Sequence, residues 1–232
     1  MDIRGKVVLV TGANRGLGKA FVTALLEAGA AKVYAGARNP ASVDIPGSTP
    51  VALDITDAAS VQHAAEQCSD VSVVINNAGF LQYGSLLAED SVENLQQHFD
   101  VNTFGTLRVS RAFAPTLARQ GGGALINVLS VLSWLSPPGA GGYSTSKSAQ
   151  WGLTNGLRGE LRSQGTLVIG VHPAYIDTDM VADVQAPKST PQEVVALTLQ
   201  ALAEDREEVL VSDTSHGVKA SLSTDSPVYL NH

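Results

Sequence analysis

Thr11-Gly12-Ala13-Asn14-Arg15-Gly16-Leu17-Gly18 joins an apolar run, residues 6 to 11, to a stretch of helical character from Lys19 to Ala28 that closes at Gly29. The run is rich in β-branched residues and uninterrupted, the composition of a strand buried on both faces. Strand, glycine turn and helix in that order form the first unit of an open α/β sheet. The turn needs glycine because its backbone bends sharply, approaches a ligand closely and lets the new helix pack against the strand. The helix N-terminus then faces a phosphate. The glycines stand at 12, 16 and 18, which is not G-x-G-x-x-G. A Walker loop also fails, because Lys19 is followed by Ala20 rather than Ser or Thr. A dinucleotide suits this turn; a glycine turn without a ligand is the alternative.

Outward from the turn, strands and helices alternate. A second strand, Lys32 to Gly36, ends at Ala37-Arg38, where a dinucleotide fold usually places an acid against the ribose 2'-hydroxyl. Ala37 is neutral, while Arg38 and Arg15 bring two guanidiniums suited to a 2'-phosphate. This favours NADP over NAD, against the alternative that both arginines simply face solvent. Residues 39 to 50 read as a proline-rich loop, and residues 51 to 55 as a third strand end with Asp54 placed toward an adenine amino group. Thr56-Asp57 caps a helix to about Ser69, and Val71 to Ile75 is a fourth strand leading into Asn76-Asn77-Ala78-Gly79. A long helix from about Val92 to Arg119 contains Asn102 and Gly105. A turn at residues 121 to 123 precedes a strand, Ala124 to Leu129, that ends at Ser130. A helix from Tyr143 to about Ser163 and a strand from Thr166 to His172 follow, then Pro173-Ala174-Tyr175-Ile176-Asp177-Thr178. The pattern predicts one Rossmann-type, doubly wound parallel α/β domain over residues 1 to 232. Its polar residues gather at strand carboxyl ends, where open sheets bind ligands.

Tyr143 and Lys147 are four residues apart and share a helix face. A neighbouring ammonium favours phenolate, so Lys147 is expected to lower the Tyr143 pKa and make it a proton donor and acceptor. Taken alone, such a pair arises by chance on many helices and usually lies on a solvated face.

Composition narrows the functions. The chain has 232 residues, 44% hydrophobic and 16% charged, enough for one compact core. A net charge of -7 without a basic run argues against nucleic acid or an anionic membrane surface as partner. The opening apolar run is too short for a signal or spanning segment, so a cytoplasmic location is expected. Cys68 is the only cysteine and reads as a half-buried apolar residue. The five histidines lack ligand spacing, so no metal is expected, and no G-x-S-x-G elbow exists.

The ordered set of Thr-Gly-x-x-x-Gly-x-Gly at 11 to 18, Asp54, Asn-Asn-Ala-Gly at 76 to 79, Asn102, Ser130, Tyr143 with Lys147, and Pro173 through Thr178 resembles the short-chain dehydrogenase/reductase family over nearly the whole chain, in its compact form. The resemblance implies a carbonyl/alcohol oxidoreductase with Tyr143 as acid/base and Ser130 holding the substrate oxygen. Lys147 would bind the nicotinamide ribose, and Asn102 would fix a water linking Lys147 to solvent. It also implies backbone at Gly12, Asn14, Arg15, Gly16 and Leu17 around the pyrophosphate and Asp54 with Ile55 at the adenine. Asn76, Ala78 and Gly79 would lie on the adenosine ribose side, and Pro173, Ile176 and Thr178 at the nicotinamide. Ser130 and Tyr143 are separated by 13 residues, the usual short spacing.

Two positions depart from the family pattern: Ala174 replaces the usual glycine after Pro173, and Leu129 stands where a serine often precedes Ser130. Leu132, Trp134, Leu135 and Tyr175 are expected to line an apolar entrance, with Trp134 alternatively a packing residue. The segment Asp179 to Ser189 is short for a lid, which suggests an open pocket. A moderately hydrophobic aldehyde or ketone is the expected small-molecule partner. By resemblance the helices at 92 to 119 and 143 to 163 pair across a homodimer or homotetramer axis. The stretch Val218 to His232, with Leu222, Val228, Tyr229 and Leu230, reads as a tail that either packs on a neighbour or frays. The rivals are an NADP(H)-binding regulator with little catalysis and a reductase of C=N or C=C bonds.

Overall fold

The computed structural model describes residues 1–230. These form a seven-stranded, wholly parallel sheet in the order β3-β2-β1-β4-β5-β6-β7. The strands are β1 Val7–Thr11, β2 Lys32–Ala37, β3 Thr49–Ala52, β4 Val73–Asn76, β5 Ala124–Val128, β6 Leu167–His172 and β7 Glu208–Leu210. Alternate side chains feed opposite faces. Val8 and Val10 join Phe21, Leu25, Ile75, Ile126, Ile169 and Val194 on the side of α1 (Gly16–Glu27) and α6 (Pro191–Ala203). Leu9 joins Val74, Phe113, Leu117, Leu125 and Val168 on the side of α2 (Ala58–Gln67) and α4 (Thr106–Arg119). Fully burying a side chain such as Phe21 or Phe113 contributes about 1.5–3 kcal/mol.

Several boundaries differ from the sequence pattern for identifiable reasons. The first helix begins at Gly16 rather than Lys19, because Arg15 is extended (φ -156°, ψ 174°) and serves as its N-cap. β3 starts at Thr49 with Pro50 inside it, which an edge strand tolerates, and it stops before Asp54. The long helix is three segments: α3 Ser91–His98, a π-helical stretch Phe99–Gly105, and α4. α5 spans Gly141–Leu161, starting two residues before Tyr143. The turn at residues 121 to 123 is as expected, with all three glycines at positive φ. Cys68 is fully buried rather than half-buried.

The C-terminal part was not anticipated. Thr190 caps α6 in a reciprocal box with Glu193, and α7 (Asp213–Ser221) follows β7. The expected tail from Val218 therefore starts inside α7, where Val218 packs on Val131 and Trp134, while Val228, Tyr229 and Leu230 are exposed. Its last two residues, Asn231 and His232, lie outside the described residues. Among the described residues no helix is long and apolar enough to cross a membrane, and no group of three His, Cys, Asp or Glu residues could hold a metal ion.

Candidate active site

The loops after β1 and β4 are laced together. Thr11 Oγ1 accepts from the backbone N–H groups of Asn77 and Ala78, both at 3.0 Å. Asn77 Nδ2 donates to the carbonyls of Thr11 at 2.9 Å and Gly12 at 3.2 Å. This closeness explains the glycines. Gly12 has φ +62°, and a Cβ there would stand 2.9 Å from Ala78 Cα. A Cβ on Gly18 would overlap the Gly12 carbonyl and come within 2.6 Å of Asn77 Nδ2. One on Gly16 would lie 3.3 Å from Thr178 Cγ2, so Thr178 sits over the glycine turn although it follows β6. Arg15 makes no side-chain cap bond and the first turn of α1 holds no acid. The leading N–H groups of a twelve-residue helix therefore stay available to an anion.

Arg15 and Arg38 are both exposed, and Asn14 Nδ2 donates to Ser42 Oγ at 3.2 Å. Asp54 Oδ1 accepts from Thr56 N and Oγ1 at 2.9 and 2.7 Å. Burial alone pushes the Asp54 carboxyl up, but the Thr56 bonds with the charges of Arg38 and Arg108 hold it below the usual range. Ile55 is buried, its side chain filling the space where a Cβ on Gly105 would fall. Asn76 does not face the cradle: it is buried, and its Nδ2 donates to Ser110 Oγ at 3.2 Å and Asn127 Oδ1 at 2.9 Å. Its side-chain amide is thus committed to the sheet and to α4. Gly79 lies beside Asn102, a Cβ there falling 3.5 Å from Asn102 Oδ1.

Ser130 leaves β5 in extended conformation, its Oγ accepting from Leu132 N at 3.1 Å and lying close enough to the Tyr143 phenol to influence its pKa. Tyr143 is half-buried, and desolvation pushes its pKa up to about 12, with Ser130 working to lower it and the Tyr83 phenol to raise it. Lys147 is 3% exposed, and desolvation brings its pKa down to about 7. Its Nζ donates to Val128 O at 2.9 Å and Gln150 Oε1 at 2.8 Å, and stands 5.6 Å from the centre of the Tyr143 ring. The expectation that Lys147 lowers the Tyr143 pKa is thus corrected for the free protein: burial outweighs the cation, whose protons are directed elsewhere.

Asn102 sits in the π-helical stretch, a distortion that recurs at functional sites. Its Oδ1 accepts from Phe80 N at 2.8 Å, and its Nδ2 donates to Phe80 O and Ser146 Oγ, each at 2.9 Å. Both ends of the amide are thereby occupied, tying the loop after β4 to α5.

After β6, Pro173 O accepts from Val131 N at 2.8 Å, and Ile176 packs on the core edge and bridges to Ser189. Ala174 and Leu132 pack on the cluster of Val131, Trp134 and Val218, which Leu135 also joins. Trp134 is a packing residue rather than an entrance residue. It stacks on His172 at 4.0 Å, meets Trp151 edge-on at 6.2 Å and lies under Lys219 Nζ at 5.9 Å. Tyr175 is half-buried, close enough to Tyr83 to raise its pKa alongside the larger effect of burial.

Sequence reasoning missed Tyr83, His98 and Gln150. Tyr83 is 54% exposed and near enough to Tyr143 and Tyr175 for the three phenols to influence one another's ionisation, Tyr83 raising the Tyr143 pKa and Tyr175 raising that of Tyr83. His98 is fully buried, 6.2 Å from the Tyr143 ring, with Nδ1 donating to Asn94 O at 2.8 Å and Nε2 accepting from Gln82 N at 3.1 Å. Phe80-Leu81-Gln82-Tyr83, aromatic at both ends just past Gly79, was the available signal for Tyr83.

A family model described as short chain dehydrogenase matches residues 6–189. Among curated proteins, the chain is 33% identical over 227 residues to 1-deoxy-11-beta-hydroxypentalenate dehydrogenase of Streptomyces exfoliatus, covering 89% of this chain and 82% of that protein. It is 36% identical over 199 residues to the short chain dehydrogenase pigC of Monascus ruber, covering 78% of this chain and 65% of that one, just under two thirds of its length. Among solved structures, a short chain dehydrogenase from Burkholderia cenocepacia J2315 in complex with NADP is 40% identical, with a TM-score of 0.93 over 97% of this chain and 95% of that one.

Proposed function

The chain belongs to the short chain dehydrogenase family of oxidoreductases, and from that premise we propose that it interconverts a carbonyl and an alcohol by hydride transfer with NADP(H), Tyr143 acting as acid and base. The observation that carries this reading is the Ser130 hydroxyl set close enough to the Tyr143 phenol to lower its pKa, with Lys147 beside the same ring and the uncapped glycine cradle nearby. The residues present fit the cofactor. The N-terminus of α1 and the backbone from Gly12 to Leu17 would take the pyrophosphate, with Asp54 at the adenine and Thr178 poised over the turn. Arg15 and Arg38 would hold a 2'-phosphate, and the NADP in the Burkholderia structure supports that preference. When bound, the cofactor supplies or takes the hydride.

The residues of this chain manage the proton and the geometry. Ser130 Oγ donates to the carbonyl oxygen and fixes it near the Tyr143 hydroxyl. Tyr143 gives its proton to that oxygen in reduction and recovers it in oxidation. A pKa of about 12 keeps the phenol protonated in the free protein, which suits the acid role. Lys147 stabilises the phenolate that reduction leaves behind and holds the ribose. Asn102 fixes the loop after β4 against α5. A regulator needs the cradle but has no use for paired hydroxyls. Tyr83, Tyr143 and Tyr175, near enough to one another to shift their ionisation, support a moderately hydrophobic aldehyde or ketone as substrate.

The same reading makes α4 and α5 the face of a homodimer or homotetramer. Phe104 and Leu107 are exposed at and just before the start of α4, and Gly152, Gly156 and Gly159 leave open backbone along α5. Light scattering at micromolar concentration tests this, and a monomer mass refutes it. The function is tested by NADPH oxidation across a panel of aldehydes, ketones, diketones and imines. Turnover of carbonyls is expected; tight NADPH binding without turnover would transfer the reading to a regulator, and turnover of imines alone to a C=N reductase.

A further inference from the structure

Gln150 lies one helical turn beyond Lys147 on α5 and is fully buried. A buried amide needs partners at both ends. Its Oε1 accepts from Lys147 Nζ at 2.8 Å, and its Nε2 donates to Thr106 Oγ1 at 2.8 Å. Thr106 Oγ1 donates onward to the carbonyl of Asn102 at 2.9 Å. Lys147 is thereby joined to the π-helical stretch by direct protein bonds.

Lys147 has few other supports. Its second acceptor is the neutral carbonyl of Val128. The titratable groups that face it are Tyr143 on its own helix and His172 at the end of β6, the latter buried and neutral. The elements bearing Asn102, Thr103 and Thr106 present uncharged groups here, and no carboxylate among the described residues acts on Lys147. An ammonium carries three donors, so with two directed at Val128 and Gln150 one remains for a ligand.

We propose that Gln150 is a positioning residue that keeps Lys147 in its cationic form and aims its remaining donor into the site; this rests on the reading of Lys147 as part of the reaction machinery. The physical reason is that an acceptor bonded to an ammonium favours the charged form, opposing the desolvation that brings its pKa to about 7. Gln150→Leu removes that support. Gln150→Glu keeps the shape and sets a carboxylate against the cation.

The test is an NMR titration of Lys147 in lysine-labelled cofactor-free protein, with the signal assigned by Lys147→Arg, alongside the pH profile of NADPH-dependent carbonyl reduction. Relative to wild type, the midpoint falls by about one unit or more in Gln150→Leu and rises by about one unit or more in Gln150→Glu, and the alkaline limb of the rate moves the same way. If the leucine variant fails to fold, the sign of the glutamate shift alone decides. A Lys147 midpoint that does not move in the folded variants overturns the proposal whether or not the protein turns over a substrate. Shifted midpoints in a protein whose Tyr143→Phe variant stays fully active support the Gln150 assignment and overturn the functional reading beneath it.

Discussion

The Nζ of Lys147 donates to the carbonyl of Val128 across 2.9 Å, so the helix bearing Tyr143 is bonded to the end of the strand that delivers Ser130. Desolvation at this junction brings Lys147 to about 7. If the cation is required, kcat/KM for NADPH, which reports the free enzyme, falls as pH rises through about 7. A profile flat to pH ~9 contradicts this. Stability moves the other way. Between about 7 and the unfolded value of 10.5 the unfolded chain binds the extra proton, so this group's contribution to stability rises with pH across that window. Lys147→Met should abolish that rise in denaturant titrations.

His172 gives the acid counterpart. Burial pushes its pKa down to about 3, so the folded state holds it neutral. The unfolded state binds one more proton between 6.5 and about 3, and stability is lost as pH falls through that window. The steepest contribution is about 1.4 kcal/mol per pH unit. His172→Phe retains a ring against Trp134 and cannot titrate, so its acid unfolding should be shallower by up to one proton. Equal steepness in both proteins would remove His172 as a cause.

Gly12 and Gly18 are held by different contacts and should fail differently. Gly12→Ala combines positive φ with a close approach to Ala78 and should cost about 1–3 kcal/mol in a thermal or denaturant melt. Gly18→Ala strikes the Gly12 carbonyl and Asn77, and should weaken NADPH fluorescence binding more than any loss of stability accounts for. Unchanged NADPH affinity in a folded Gly18→Ala protein argues against the cradle.

Arg15 and Arg38 should set cofactor choice. Replacing both with alanine should weaken NADPH about tenfold or more while leaving NADH affinity within about twofold. Equal losses for both cofactors would assign the arginines to general binding or to folding.

Much of this architecture is legible because local chemistry agrees with the global fold: β-branched runs make the strands, and glycines mark where backbones meet at Gly12, Gly18 and Ala78. Legibility fails where the deciding partner is distant in sequence. The π-helical stretch at Phe99–Gly105 keeps a helical sequence pattern, and Asn102 within it takes its partners from distant Phe80 and Ser146. Trp134 looks like a pocket residue until His172 and Val218 close over it from β6 and α7. β7 has three residues and opens on Glu208, and its apolar stretch, Val209 to Val211, is too short to read as a strand without its neighbour β6. Gln150 is an ordinary helical glutamine until Lys147 and Thr106 occupy both ends of its amide.

The most direct measurement is single-turnover hydride transfer from bound NADPH to a carbonyl substrate in wild type and Tyr143→Phe. The account predicts a loss of about 10²- to 10⁴-fold in the variant with NADPH affinity unchanged. A variant that transfers hydride at the wild-type rate would contradict the assignment of Tyr143 as the acid.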